Sequence, residues 1–207
     1  MTTTQMNIMD VLKARTAEQH RRAEQSPFMR GLVSGQVTRE GYARWLGQMM
    51  HVHAALESEI VARRGAEPRL AVASDEQFGA QRLRDDLRAL GIDPASVKPL
   101  AGASAIAERV RAAAAARPVS LLGFHYVLEG SKNGNTYIAK ALRRTLGLAP
   151  GAGDSYLDPY GDQQRARWAA FREAMGGQDY SENDAAAVLD AACAMFDGIT
   201  ELNGELN

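Results

Sequence analysis

The chain has 207 residues, 45% hydrophobic and 24% charged, with a formal net charge of −1. That length suits a single domain with a sizeable core, and the composition excludes an intrinsically disordered chain. The charge balance argues against a dedicated nucleic-acid binder, and one cysteine excludes a disulfide framework or a cysteine-rich zinc site.

Met1 to Ala14 mixes polar and apolar residues and lacks the apolar core of a secretory signal. No later run approaches the roughly eighteen apolar residues that would span a bilayer. A soluble, cytoplasmic protein without nucleic-acid or membrane partners is expected. Apolar residues recur at intervals of three and four, which predicts helices throughout. The first runs from about Thr4, a candidate N-cap, to Gln25. Ser26-Pro27 reads as the cap and first residue of a short second helix ending near Gly35. Thr38 opens a long third helix with Tyr42, Trp45, Leu46, Met49, His53, Leu56 and Ile60 on its apolar face. Asp75 opens a helix that Gly91 closes, and Ser104 to Arg117 is alanine-rich and helical by propensity. Val119 to Leu146 is helical but interrupted by Gly123, Gly130 and Gly134, with Gly147 fitting a C-terminal cap. After a loop and a turn at Asp158 to Gly161, helices follow over about Asp162 to Met175 and Glu182 to Leu202. Ser181 and Asp184 have the spacing of a capping box. The fold class predicted is all-α, one domain over 1–207, with seven to eight helices.

Four histidines carry the candidate chemistry. Leu12, Thr16 and His20 share a face at intervals of four. Lys13 lies nearly two turns before His20, about 10 Å along the axis, and Glu24 one turn after it. By spacing alone the stripe suits either a surface histidine on an amphipathic helix or a metal ligand with a carboxylate beside it. His53 and His125 fall among apolar neighbours and read as hydrogen-bonded core histidines, with His51 exposed. The pairs His20/Glu24, His53/Glu57 and His125/Glu129 each share a helical face, so a carboxylate-bridged di-iron site stays open, although the usual Glu-x-x-His spacing is missing.

Tyr126-Val127-Leu128-Glu129-Gly130-Ser131-Lys132-Asn133-Gly134-Asn135 is the most informative stretch. Each glycine inside a helix costs about 1 kcal/mol relative to alanine. Two of them four apart bare a strip of backbone and invite a kink. The strip serves either close helix packing or a flat ligand lying against it. A phosphate loop is disfavoured by the glycine spacing and by the lack of a preceding strand. Cys193 reads as a small buried hydrophobe. The pairs Arg21-Arg22, Arg63-Arg64 and Arg143-Arg144 read as solvated faces, the first also suited to docking an acidic electron donor.

Taken together, these segments resemble the haem oxygenase family. Leu12-Lys13-Ala14-Arg15-Thr16 through His20 to Ala23-Glu24 is similar to the family's proximal helix, and Phe28-Met29-Arg30 through Tyr42 to the segment that follows it. Tyr126 to Asn135 is similar to its glycine-bearing distal helix, in the form found in the bacterial branch paired with phytochromes. Phe171-Arg172-Glu173-Ala174-Met175 resembles the later helix that brings an arginine to the haem propionates. The resemblance implies haem held between the first helix and the glycine-broken one. His20 would be the proximal iron ligand, with Glu24 tuning it and Lys13 and Arg172 on the propionates. Gly130, Ser131 and Gly134 would form the distal wall. Haem would be both substrate and cofactor, opened by O2 to biliverdin, CO and ferrous iron. The electrons would come from a ferredoxin, a flavodoxin or an NADPH-linked reductase. Ser131 stands where many members carry an aspartate, and Asn135 where the closing glycine is usual. Both departures bear on the distal hydrogen bonds and on which meso carbon is attacked. A haem carrier or sensor with the same pocket, and a di-iron oxidase on a related helical scaffold, are the rival readings.

Overall fold

The computed structural model describes residues 7–206. Among them are nine α-helices and no strand. The helices are α1 (Ile8–Arg15), α2 (Ala17–Glu24), α3 (Pro27–Ser34), α4 (Arg39–Arg63), α5 (Ala80–Ala89), α6 (Ala101–Ala116), α7 (Leu121–Leu146), α8 (Gln164–Gly176) and α9 (Glu182–Gly204). Short 3-10 turns join several of them.

Local chemistry sets most of the boundaries. The Ser26 hydroxyl accepts from Met29 N, and the Thr38 hydroxyl from Gly41 N. Ser181 and Asp184 form the predicted capping box. Gly35 and Gly147 close α3 and α7 in the left-handed conformation, φ +70° and +66°. The apolar face of α4 is buried as its periodicity predicts, from Tyr42 to Ile60. α4 packs on α5 and α6, while α9 runs against α6, α7, α2 and α3.

Two helices depart from the expected pattern. The first is not continuous. α1 and α2 are separated at Thr16, whose backbone sits at φ −97°, ψ 2°. The Thr16 hydroxyl donates to Leu12 O at 2.8 Å, a local bond that competes with the helical ladder. The start of α1 is capped by the Asn7 side chain, which accepts from Met9 N; the expected cap Thr4 lies outside the described residues. The helix expected to start at Asp75 is the second. Asp75–Gln77 is a 3-10 turn, and α5 begins only at Ala80. A carboxylate from another helix explains it. Glu57 Oε1 on α4 accepts from Gly79 N (2.7 Å) and Ala80 N (3.0 Å), so it caps α5 across the interface.

α7 is one unbroken α-helix despite its glycines. Its tightest neighbour is α9: a Cβ at Gly123 would stand 1.9 Å from Val188 O. The two backbones touch there, and no side chain fits between them.

Candidate functional site

α1, α2, α3, α7, α8 and α9 all contribute to a large cavity of about 1520 Å3. Lys13, His20, Glu24, Gly130, Ser131, Gly134 and Arg172, every site residue expected from sequence, line it. α1 and α2 supply one wall and α7 another.

His20 is placed by the restart of the helix after Thr16, with His20 N donating to Thr16 O at 2.9 Å. Its Nδ1 lies 3.4 Å from Glu24 Oε2, and both side chains are more than half exposed. Phe196 of α9 packs against the ring edge-to-face, with centroids 5.5 Å apart. With Nδ1 turned to Glu24, Nε2 is the nitrogen left to meet a ligand. Lys13 and Arg172 form no ion pair with a carboxylate among the described residues, whereas Arg22 pairs with Asp197 and Arg21 with Glu18. Lys13 and Arg172 thus stand without a carboxylate partner on the lining of a largely apolar cavity, as does Arg30, which bonds to Gln25 O.

On α7 the two glycines differ. A Cβ at Gly134 would meet nothing within 4 Å and would enter open space. A Cβ at Gly130 would come within 3.3 Å of Trp168 Cη2. Gly130 is therefore packed against the Trp168 ring, whereas on α7 it is Gly134 that leaves open backbone to the cavity. The Ser131 hydroxyl donates to Leu128 O at 2.8 Å and stands 3.5 Å from Asn135 Nδ2.

Behind Ser131 runs a buried polar chain. The Tyr156 hydroxyl lies 3.0 Å from His53 Nε2. His53 Nδ1 is 3.0 Å from Glu57 Oε1. A carboxylate at Nδ1 fixes the proton on that nitrogen, so Nε2 accepts from the Tyr156 hydroxyl. Burial, then the charge of Glu57, raises the Tyr156 pKa above the ordinary tyrosine value, so it stays protonated. Gly79 makes the packing feasible: a Cβ there would stand 2.8 Å from His53 Cε1 and 3.0 Å from Tyr156 Cε2. Sequence reasoning missed Tyr156 because it lies in a loop without periodicity.

The remaining histidines are structural. His125 is buried, with Nε2 3.0 Å from Gln77 Oε1, and burial pushes its pKa down to about 3. Glu129 does not pair with His125. It binds Lys132 Nζ at 2.6 Å and the Tyr160 hydroxyl at 3.1 Å. His51, expected to be exposed, is half-buried with Nε2 3.0 Å from Val97 O. Among the described residues no three His, Cys, Asp or Glu side chains converge as a metal site. Each His/Glu pair of the di-iron reading is thus committed separately. Cys193 is half-buried rather than enclosed. Arg143 is no solvated residue: it clamps the buried Asp154 and reaches Asp158 at 3.0 Å.

α2 and the glycine-bearing α7 thus face each other across a large cavity in an all-α fold. The heme oxygenase family model matches residues 6–204, and the chain belongs to that family. It is 25% identical to heme oxygenase 1 of the cyanobacterium Synechocystis over 194 residues, 92% of this chain and 81% of that protein. The crystal structure of the Synechocystis protein in complex with heme superposes with a TM-score of 0.89, covering 98% of this chain and 93% of that one. The heme oxygenase structure from Leptospira interrogans, 23% identical, has the same fold, with a TM-score of 0.88 over 97% of this chain and all of that one. Heme oxygenase 1 of Rattus norvegicus is 44% identical over 54 residues, a segment covering 26% of this chain and 19% of the rat protein.

The residues present fit a haem. The cavity exceeds the roughly 300–1,000 Å3 typical of small-molecule sites. It offers an imidazole on one wall, open space above Gly134, and Lys13 and Arg172 with no carboxylate partner among the described residues.

Proposed function

We propose that this protein is a haem oxygenase that opens haem to biliverdin, releasing CO and ferrous iron. O2 is consumed, and electrons come from a ferredoxin, a flavodoxin or an NADPH-linked reductase. The observation that carries this reading is the convergence of His20, Lys13, Arg172 and the bare backbone at Gly134 on one cavity. No described helix is long and apolar enough to cross a membrane, and a cytoplasmic location among soluble electron carriers accords with the reaction.

Each side chain has a separable task. His20 Nε2 holds the iron, and Glu24 beside Nδ1 strengthens the imidazole as a ligand. Phe196 limits rotation of that ring. Lys13 and Arg172 bind the propionates and so fix how the macrocycle is turned within the cavity. When bound, haem supplies the iron at which O2 is reduced and the meso carbon that is oxidised. Gly134 lets α7 approach without a side chain, so the helix backbone is the surface that limits where O2 can lie. Ser131, held by Leu128 O and beside Asn135 Nδ2, offers a hydroxyl to hold water near that surface. It adds no charged acid of its own.

The test is an absorption spectrum after adding haem, followed by ascorbate or reduced ferredoxin in air. A histidine-ligated haem spectrum that gives way to biliverdin, with CO released, is the expected result. A haem complex that persists under reductant and oxygen would make the protein a carrier or sensor instead.

A further inference from the structure

On the face of α7 away from the cavity lies a charged cluster that the reaction does not use directly. Glu129 and Lys132 flank Gly130 and Ser131, and their side chains are 0% and 2% exposed. Lys132 Nζ donates to three segments at once: Glu129 Oε2 on α7 (2.6 Å), Gln77 O in the 3-10 turn before α5 (2.7 Å), and the Tyr160 hydroxyl in the turn before α8 (2.9 Å). Tyr160 in turn donates to Glu129 Oε1 at 3.1 Å, and the Lys132 ammonium lies 4.7 Å from its ring centroid.

A buried ion pair is a poor choice for stability alone. Desolvation offsets much of the attraction, and an apolar pair of equal volume often serves as well or better. What the cluster does achieve is directional. Two of the three donors reach segments outside α7, and Tyr160 reaches back to Glu129, so the cluster ties the rotation of α7 to two neighbours. α7 needs such a device at this position, because Gly134 offers no side chain to key it to its neighbours.

The geometry points to the Glu129–Lys132–Tyr160 cluster as the positioning device for the cavity wall: it sets the rotation of α7 and hence the presentation of Gly134 and Ser131 to the ligand. The inference rests on the haem reading above. None of the three residues lines the cavity, so they act on the ligand only through the helix.

The test compares the parent with the double variant E129L/K132M, by melting temperature, by amide exchange over 128–135 without haem, and by haem titration. The double variant is expected to melt close to the parent temperature, the relief of a buried charge pair offset by the donor lost to Gln77 O and Tyr160. It should exchange those amides faster and bind haem about tenfold more weakly, equivalent to 1.4 kcal/mol. Parental exchange and parental haem affinity in the double variant would overturn the inference and leave the haem reading intact. A parent protein that binds no haem would overturn both. Should the double variant not fold, Tyr160→Phe carries the same comparison with one hydroxyl removed. Its exchange over 128–135 should still rise above the parent's, and unchanged exchange and affinity would again overturn the inference.

Discussion

His20 is the iron ligand in the proposed reaction, and its surroundings make its replacement informative. Its ring is more than half exposed, so His20→Ala removes little from the core. The variant should keep its melting temperature but lose the imidazole-ligated haem spectrum and turnover, with added imidazole partly restoring both. A parental spectrum in His20→Ala would reassign the ligand. Lys13 and Arg172 make a second comparison. A partly buried charge-assisted bond is worth about 1.5–3 kcal/mol, and less where solvent reaches it. Replacing both by Met should weaken haem binding and change the isomer mixture of the biliverdin formed, and chromatography of the products reads the change. Gly134 gives the cleanest separation of fold from function. A Cβ there meets nothing within 4 Å in the haem-free protein, so leucine should stabilise the helix by about 0.5–1 kcal/mol. The same side chain occupies the cavity, so haem affinity should fall while the melting temperature rises. Tighter haem binding by Gly134→Leu would mean that the ligand lies against a different wall.

At the scale of elements, legibility followed the distance between a helix end and its cap. The starts of α3, α4 and α9 could be read because Ser26, Thr38 and Ser181 cap bonds only three residues away. The start of α5 could not, because its cap, Glu57, is 22 residues from Gly79 and on another helix. The same limit hid Tyr156, 103 residues from its partner His53. It also hid the role of Lys132, whose i, i+3 spacing to Glu129 reads equally well as a solvated pair. The stripe around His20 and the glycines of α7 were visible because their information is periodic, although no sequence rule distinguished Gly130 under Trp168 from the open Gly134. Glu57 offers a direct test of capping across an interface. Glu57→Ala strands two backbone N–H groups and one ring nitrogen, and should destabilise the fold by about 1.5–3 kcal/mol in urea denaturation. Ser181→Ala, which removes a cap within one helix, should cost about 1 kcal/mol.

For the whole molecule, acid resistance is governed by what is buried neutral. In the unfolded chain His125 takes up a proton near its ordinary value of 6.5, whereas burial, then the charges of Lys132 and His53, holds it near 3 when folded. Between those values the unfolded state binds the extra proton, so stability falls as pH drops through that window. Melting temperatures measured from pH 7 to 4 should decline, and His125→Gln, which retains a donor for Gln77, should flatten the decline. Asp184 acts in the same direction at lower pH. Bonds from Arg69 above all, and from Arg117 and Ser181, hold its carboxyl well below the usual range. Its stabilisation is complete above the ordinary carboxylate value and disappears as acid titrates the folded group.

The contact at Gly123 has a bearing on how such a protein can change. Backbone meets backbone there, so the separation of α7 from α9 is fixed by atoms that no substitution can trim. Farther along the same α9, Phe196 rests on the His20 ring. One helix therefore works as a gauge block, registered on α7 at one point and on the His20 ring at another. The clearance between the two walls is inherited from the pitch and straightness of α9. Drift in the small residues along its length can widen or narrow the slot by fractions of an ångström while leaving every residue that lines the cavity unaltered.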